Sequence, residues 1–225
     1  CMRIVFLFFL LGFFSCSHDE RSLISKKLNY LALGDSYTIG ESVQFNDTYP
    51  IQLKTQINST DKIIDSVRVI AKTGWTTGQL IDTLSQLNLK YDIVSLLIGV
   101  NNQFRGYNIS QYREEFENLL IRSINFSKNI NNVFVLSIPD YGVTPFGKNM
   151  NQEKIFREIN IYNQINREIS DKYHVMYFNI TDISRMAESD STLLANDKLH
   201  PSGKMYKMWV ERIKNQIMDS LILNY

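Results

Sequence analysis

Cysteine, histidine and proline are all scarce in this chain of 225 residues, which has two, three and four of them respectively. The cysteines are Cys1 and Cys16, so cleavage of a leader before Cys16 would leave no internal disulfide. Stability must then come from the core alone. Three histidines leave few candidates for a catalytic imidazole, and each can be considered in turn.

The chain also lacks an excess of charge of either sign. It has 24 Lys and Arg residues against 23 Asp and Glu residues, which leaves no electrostatic footprint for nucleic acid or for an anionic membrane surface. A hydrophobic content of 44% is enough for one core of substantial size and too little for two domains. We therefore expect a single domain, a monomer, and no nucleic-acid partner.

The N-terminus has an apolar run that is too short to span a membrane. Arg3 precedes the apolar residues 4–14, well below the roughly 20 residues of a spanning helix, and Ser15 and Cys16 follow. This layout is typical of a secretory signal. The stretch "FFSC" resembles the lipobox of bacterial lipoproteins, although two phenylalanines precede Ser15. The resemblance implies a lipid-modified Cys16 and a location in the cell envelope; an ordinary signal peptide and secretion are the alternative.

These features divide the chain into a signal peptide at 1–16, a polar tether at 17–27 and a globular domain at 28–225. Short apolar runs in that domain alternate with amphipathic stretches. Strands are predicted at 29–34, 66–72, 92–99, 132–139 and 174–180, and helices at 49–57, 76–87, 110–128, 152–173 and 201–222. Near-continuous apolar strands are typical of a parallel sheet buried on both faces. The alternation predicts a flavodoxin-like, three-layer α/β/α sandwich with a five-stranded parallel sheet.

The first predicted strand ends in "GDSYTIG", which presents a hydroxyl at the place where parallel sheets bind ligands. Ser36 follows the carboxyl end of this strand and would face the binding crevice. Gly34, Asp35 and Ser36 are also common turn formers, and Ser36 could simply cap the next helix. A phosphate-binding loop is a poor alternative, since the segment has neither the lysine nor the glycine spacing of a P-loop.

A serine nucleophile needs a base, and His200 is the best placed of the three histidines. His18 lies in the tether, and His174 opens an apolar strand, where a core or strand-end role fits better. Asp197 precedes His200 by three residues, so one loop turn can bring its carboxylate onto the imidazole. Pro201 disfavours helix at His200 and suits the first turn of the following helix. A helix-capping loop with an incidental histidine is the alternative.

Two further strand ends carry groups that could stabilise an oxyanion. In "AKTGWTTG" Gly74 lets a backbone amide approach a ligand closely, and in "LLIGVNNQFRG" the side-chain amide of Asn101 can donate a hydrogen bond. Each segment alone could be no more than a tight turn. A suitable group at four separate junctions favours a catalytic site.

Together these segments resemble the four blocks of the SGNH (GDSL-type) hydrolases. "GDSYTIG" is similar to the nucleophile block, "AKTGWTT" to the glycine block, "GVNN" to the asparagine block and "DKLHP" to the block that carries the last two members of the triad. They follow the family's order and span Gly34 to Pro201. Two positions depart from the pattern: Tyr37 stands where leucine is common, and Asn102 stands where the family usually has aspartate.

The resemblance implies an esterase whose nucleophile is Ser36, with His200 as base and Asp197 as its partner. The amides of Ser36 and Gly74 and the side chain of Asn101 would form the oxyanion hole. No cofactor is implied, and the sequence has no H-E-x-x-H motif or clustered cysteines for a metal. A catalytically idle module that binds a glycan or lipid on the same fold is the alternative.

Aromatic residues near the predicted crevice suggest the substrate. Trp75, Phe104 and Tyr141 are the predicted substrate-binding residues, with Tyr107 and Phe146 nearby, although each could equally be a packing residue. The chain has no long apolar insertion to roof an acyl tunnel. We therefore expect short acyl esters, including carbohydrate O-acetyl groups, as substrates. The stretch "GVNNQFRGYNISQY" also resembles the lysophospholipase and thioesterase-like branch of the family. A lysophospholipid is therefore the alternative substrate.

Overall fold

The computed structural model describes residues 27–59, 64–88 and 90–222. The predicted signal peptide, the lipidation site Cys16 and the tether as far as residue 26 lie outside the described residues. The first strand, β1, begins at Leu28.

A parallel sheet of five strands forms the middle layer, as predicted. The strands are β1 (Leu28–Gly34), β2 (Ile64–Ala71), β3 (Ile93–Leu97), β4 (Val133–Leu136) and β5 (Met176–Phe178). Their order in the sheet is β2-β1-β3-β4-β5, and every neighbouring pair is parallel. This is the doubly wound order in which ligands bind beyond the carboxyl ends of the strands near β1 and β3.

Helices cover both faces of the sheet. They are α1 (Ser36–Ile39), α2 (Tyr49–Ile57), α3 (Thr77–Leu84), α4 (Val100–Phe104), α5 (Ile109–Phe126), α6 (Gln152–Lys172), α7 (Thr181–Arg185) and α8 (Gly203–Ile222). Helix α2 packs against α8, and α5 packs against α3 and α6. The short helices α1, α4 and α7 were not predicted, because four or five residues are too few to show a helical period.

Burial separates the inner strands from the edge strands. Strands β1, β3 and β4 are buried along almost their whole length, which agrees with their apolar sequences. The expectation that all five strands are buried on both faces is wrong for β2 and β5. They lie at the two edges of the sheet, and β2 exposes Asp65, Ser66 and Arg68 in part or in full.

The last helix begins later than the sequence predicts. Pro201 does not lie in its first turn but pairs with Leu194 in an isolated antiparallel bridge. Ser202 instead caps the helix, since its carbonyl accepts from the Tyr206 amide at 3.0 Å and its hydroxyl accepts from the Met205 amide at 3.3 Å. This bridge and cap fix the position of His200, the residue immediately before Pro201.

Among the described residues, no helix has the length and apolar character that crossing a bilayer requires.

Candidate active site

The nucleophile candidate lies at a sharp turn between β1 and α1. Asp35 is the N-cap of α1, and Ser36 is the first helical residue. Gly34 permits the turn to pack closely, because an added Cβ would lie 2.2 Å from the carbonyl oxygen of Leu97 on β3. Ser36 is 5% exposed, and its amide is one of those that have no acceptor within a helix. Its amide is therefore available to a ligand at the carboxyl edge of the sheet.

The side chain of Asp35 stabilises this turn. Its Oδ1 accepts a hydrogen bond from the Tyr37 amide at 3.1 Å, and the residue is 1% exposed. Burial raises the pKa of Asp35 to about 7, although the amides of Tyr37, Gly99 and Asp35 itself oppose the shift. The carboxyl group of the residue before the nucleophile thus changes its charge near neutral pH.

Ser36, His200 and Asp197 lie in hydrogen-bonded series. The Nε2 atom of His200 is 3.0 Å from Oγ of Ser36, and the Nδ1 atom is 2.6 Å from Oδ2 of Asp197. The Tyr37 ring packs edge-on against the imidazole, with the ring centres 5.7 Å apart. The structure thus brings together the three residues that the sequence predicts as a triad, in the geometry needed to pass a proton from hydroxyl to imidazole.

Asp197 is held as an anion by its hydrogen bonds. Partial burial would raise the pKa of this carboxyl, but donors from His200, the Leu199 amide and the Ser42 hydroxyl outweigh it and lower the pKa to about 2. The tight turn from Asp197 to His200 requires Lys198 to adopt a left-handed conformation with φ of 59°. An ionised carboxylate at this place fixes the orientation and tautomer of the imidazole.

Two predicted oxyanion donors meet beside Ser36. Gly74 has φ of +83°, a conformation that favours glycine, and its amide makes no hydrogen bond to any residue that the structure describes. Asn101 lies in α4 and donates from Nδ2 to the carbonyl oxygen of Trp75 at 2.9 Å. This bond uses one of two Nδ2 hydrogens, so the other is free for a ligand.

The turn that contains Gly74 is also held by Arg105, which sequence reasoning missed. The Arg105 guanidinium donates from Nη2 to the carbonyl oxygen of Gly74 at 2.7 Å. Two consecutive carbonyl groups are therefore held by side chains. Arg105, directly after α4, holds that of Gly74, and Asn101 in α4 holds that of Trp75. The signal in the sequence is weak, since an arginine after a strand end is common on any surface.

Asn102 explains one departure from the family pattern. It is fully buried, accepts from the Thr77 amide at 3.0 Å and donates to the Thr77 hydroxyl at 2.6 Å. Those bonds tie α4 to the first turn of α3. An asparagine can accept from an amide as an aspartate would, and it adds a donor, so the substitution keeps the link between these helices.

A small cavity opens beside Ser36 and His200. Its volume is about 180 Å³, and its wall contains Gly74, Asn101 and Leu199 together with an aromatic cluster. That cluster consists of Phe104, Tyr141 and Phe146, whose ring centres are 6.0 to 6.3 Å apart.

Of the three aromatic residues predicted for substrate binding, Phe104 and Tyr141 line the cavity and Trp75 does not. The Trp75 side chain packs against the hydrophobic core, and Trp75 is not among the described residues that line the cavity. Tyr107 lines a different groove, between α4 and α6. Burial raises the pKa of Tyr141 to about 12, so its hydroxyl remains protonated at neutral pH. His174 is exposed in the turn before β5, distant in the fold from this edge of the sheet.

Within the ranges that the structure describes, no three His, Cys, Asp or Glu side chains are grouped so that they could hold a metal ion. The chemistry available at the cavity is that of a hydroxyl, an imidazole, a carboxylate and several amide donors.

A hydroxyl and imidazole at the carboxyl edge of a parallel sheet, beside unpaired amides, define a serine hydrolase of the α/β class. The model of the GDSL-like lipase/acylhydrolase family matches residues 32–208, and the chain belongs to this family. It is therefore an ester-hydrolysing enzyme. A comparison with curated proteins finds no match.

Solved structures with the same fold cover nearly the whole described domain. A putative GDSL-like lipase from Parabacteroides merdae has 17% identity and a TM-score of 0.68, with 89% of this chain and 98% of that one covered. The acetylxylan esterase Axe2 from Geobacillus stearothermophilus has 17% identity and a TM-score of 0.65, covering 86% and 95%. The esterase EstA from Pseudoalteromonas sp. has 19% identity and a TM-score of 0.60, covering 88% and 100%. Identities this low show the shared fold alone.

Proposed function

We propose that this enzyme hydrolyses short acyl esters through a triad of Ser36, His200 and Asp197. The observation that carries the proposal is the series of two hydrogen bonds, 3.0 Å and 2.6 Å long, that joins the three side chains at the cavity. A hydroxyl is a weak nucleophile at neutral pH unless a base takes its proton, and His200 Nε2 lies within reach of that proton.

In the first half of the reaction, Ser36 Oγ attacks the ester carbonyl while its proton passes to Nε2 of His200. The carbonyl electrons move onto oxygen, and the resulting oxyanion accepts hydrogen bonds from the amides of Ser36 and Gly74 and from Nδ2 of Asn101. Collapse of this intermediate breaks the ester bond, and the imidazolium gives its proton to the departing alcohol. The acyl group is now attached to Ser36.

In the second half, His200 takes a proton from water as the water attacks the acyl-enzyme. The new oxyanion collapses, the bond to Ser36 breaks, and the proton on His200 returns to Oγ. Asp197 stays ionised throughout and stabilises the imidazolium in both halves. The net reaction consumes one water and releases an alcohol and a carboxylic acid.

The size and lining of the cavity favour a short acyl group. Pockets that enclose drug-sized ligands have volumes of roughly 300 to 1,000 Å³, whereas this one has about 180 Å³. Acetyl esters of carbohydrates are a suitable substrate class, since the sugar can remain at the open mouth against Phe104 and Phe146. Axe2, which shares this fold, is described as an acetylxylan esterase.

A lysophospholipid is the second candidate. The side chains of Phe104 and Phe146 are 48% and 41% exposed, so an acyl chain could extend from the cavity along them. Each methylene covered in this way would contribute about 0.8 kcal/mol, and a long chain would need more cover than two rings supply. We therefore propose the short acyl ester, and not the lysophospholipid, as the first candidate substrate.

We further propose that the enzyme is lipid-anchored in the cell envelope through Cys16 and acts as a monomer. The support is the lipobox-like "FFSC" after an apolar run. Mass spectrometry of the protein from its host should find a mature chain that begins with diacylated Cys16. A chain that begins elsewhere would favour the secreted alternative.

The decisive experiment on the reaction is labelling of the purified domain with a fluorophosphonate, which phosphonylates activated serines with loss of fluoride. We expect rapid labelling of the wild type and none of Ser36→Ala, with equal circular dichroism for both proteins. Ser85→Ala, at an exposed position directly after α3, is a control for a hydroxyl outside the site. An unlabelled wild type that binds acetylated glycans or lipids would instead indicate the catalytically idle module.

A further inference from the structure

The carboxylate of Asp197 accepts four hydrogen bonds, and three of them come from its own turn. Its Oδ1 accepts from the amides of Leu199 and His200, each at 3.0 Å, and its Oδ2 accepts from His200 Nδ1 at 2.6 Å. The fourth donor is the hydroxyl of Ser42, at 2.7 Å from Oδ2. About four sites are available on a carboxylate, so all are filled. Among the described residues, Ser42 is the one donor from a distant segment, 155 positions away.

Ser42 belongs to the turn that ends the nucleophile helix. The amides of Gly40 and Glu41 both donate to the carbonyl oxygen of Ser36, at 3.0 and 3.1 Å, and the Val43 amide donates to Gly40. Ser36 and Ser42 are therefore parts of one hydrogen-bonded turn. The hydroxyl of Ser42 thus holds Asp197, the last member of the triad, to the same turn that carries the nucleophile.

The backbone at Ser42 is in a conformation that serine rarely adopts. Its φ is 64°, in the left-handed region, and Thr73 donates a hydrogen bond to Glu41 that anchors the adjoining residue. Such a conformation costs free energy and persists where surrounding contacts determine it, which occurs most often at functional sites. Here the conformation places the Ser42 hydroxyl on Asp197.

We propose that Ser42 is a positioning residue for the reaction, on the basis of the triad proposed above. By donating to Oδ2, it restrains rotation of the Asp197 carboxylate and keeps that oxygen directed at Nδ1 of His200. It also favours the ionised carboxylate that stabilises the imidazolium. Ser42 forms and breaks no bond with the substrate and exchanges no proton in either half of the reaction.

Two substitutions separate the hydroxyl from the backbone. Ser42→Ala and Ser42→Gly both remove the donor, but glycine tolerates the left-handed conformation and alanine does not, so the glycine variant should have the higher Tm. We expect kcat to fall about tenfold in both variants with KM unchanged, since a charge-assisted hydrogen bond is lost in both. A structural role would instead make activity follow Tm. His174→Gly relieves a left-handed residue outside the site, with φ of 54°, and should leave kcat unchanged.

A cycle with Asp197 tests whether Ser42 acts through that carboxylate. The rate of fluorophosphonate labelling should fall in Ser42→Ala, yet Ser42→Ala should cause no further loss in an Asp197→Ala background. Wild-type kcat in both Ser42 variants, or an equal loss in both backgrounds, would overturn the proposal while leaving the esterase assignment intact. A wild type that fails to react with the fluorophosphonate would overturn the triad and this role together.

Discussion

The guanidinium of Arg105 donates to the carbonyl oxygen of Gly74 across 2.7 Å, which ties the end of α4 to the turn after β2. Asn101 makes the same kind of contact with the next carbonyl, that of Trp75. The two bonds fix a segment whose Gly74 amide is proposed to stabilise the oxyanion. A preorganised donor needs no rearrangement when the charge develops, and this is the source of its catalytic effect.

Replacement of Arg105 should therefore impair the chemical step. We expect Arg105→Ala to lower kcat about tenfold with little change in KM, because the turn acts mainly in the transition state. Arg105→Lys should recover part of the loss, since lysine supplies one donor. Arg113→Ala, which breaks an exposed ion pair with Glu168 on the helical layer, is the control and should have wild-type kcat. A rise in KM at constant kcat would assign Arg105 to substrate binding instead.

The difference between Arg105 and Ser36 shows what the sequence can and cannot predict. Ser36 follows an apolar strand in the segment GDSYTIG, so a local pattern points to it. Arg105, Asn102 and Ser42 bond to groups 25 to 155 residues away, and no local pattern records those contacts. Five strands and the parallel sheet were predicted because apolar runs show burial directly.

Edge position was not predictable in the same way. Strand β2 shares Val67, Val69 and Ile70 with the apolar pattern of an inner strand, but Asp65, Ser66 and Arg68 interrupt that pattern and lie exposed at the edge of the sheet. The start of α8 was placed too early for a similar reason. A proline after His200 suits a first helical turn, but Pro201 here pairs with Leu194 across a bridge that only the folded chain forms.

Asn101 should contribute through the transition state alone. We expect Asn101→Ala to lower kcat by about 10² to 10³ with little change in KM, as for loss of one oxyanion donor. Asn101→Asp should be at least as impaired, because a carboxylate cannot donate to the oxyanion or to Trp75 and would repel the developing charge. Single-turnover kinetics separate acylation from binding. An unchanged kcat with weaker substrate binding would exclude the oxyanion role.

Asp35 should make stability depend on pH. Burial raises its pKa from 3.8 to about 7 in the folded protein, so its contribution to stability is complete below about pH 4 and is lost as the pH rises to about 7. The loss should be on the order of a few kcal/mol. Asp35→Asn keeps an acceptor for the Tyr37 amide and removes this dependence. Asp197, whose pKa is lowered to about 2, affects the stability in a separate pH range, below about pH 4.

Urea unfolding between pH 4 and 8 measures that effect. The free energy of unfolding of Asp35→Asn should exceed that of the wild type at pH 8, and the difference should shrink toward pH 4. Asp82→Asn, at an exposed position on α3, should follow the wild-type curve. Parallel curves for Asp35→Asn and the wild type would mean that the buried carboxyl has an ordinary pKa.

The acyl preference should follow from the cavity and its aromatic wall. Across p-nitrophenyl esters from acetate to palmitate, we expect kcat/KM to be greatest between acetate and about hexanoate, because a cavity of about 180 Å³ holds a short chain and leaves a longer one exposed. Phe104→Ala removes a side chain that forms one side of the wall. It should raise the ratio of kcat/KM for octanoate to that for acetate about tenfold. Phe45→Ala, which removes another exposed ring that does not line the described cavity, should leave the ratio unchanged. A wild-type maximum at palmitate would overturn the short-ester assignment and favour the lysophospholipid, since the exposed rings of Phe104 and Phe146 would then act as the start of a long acyl site.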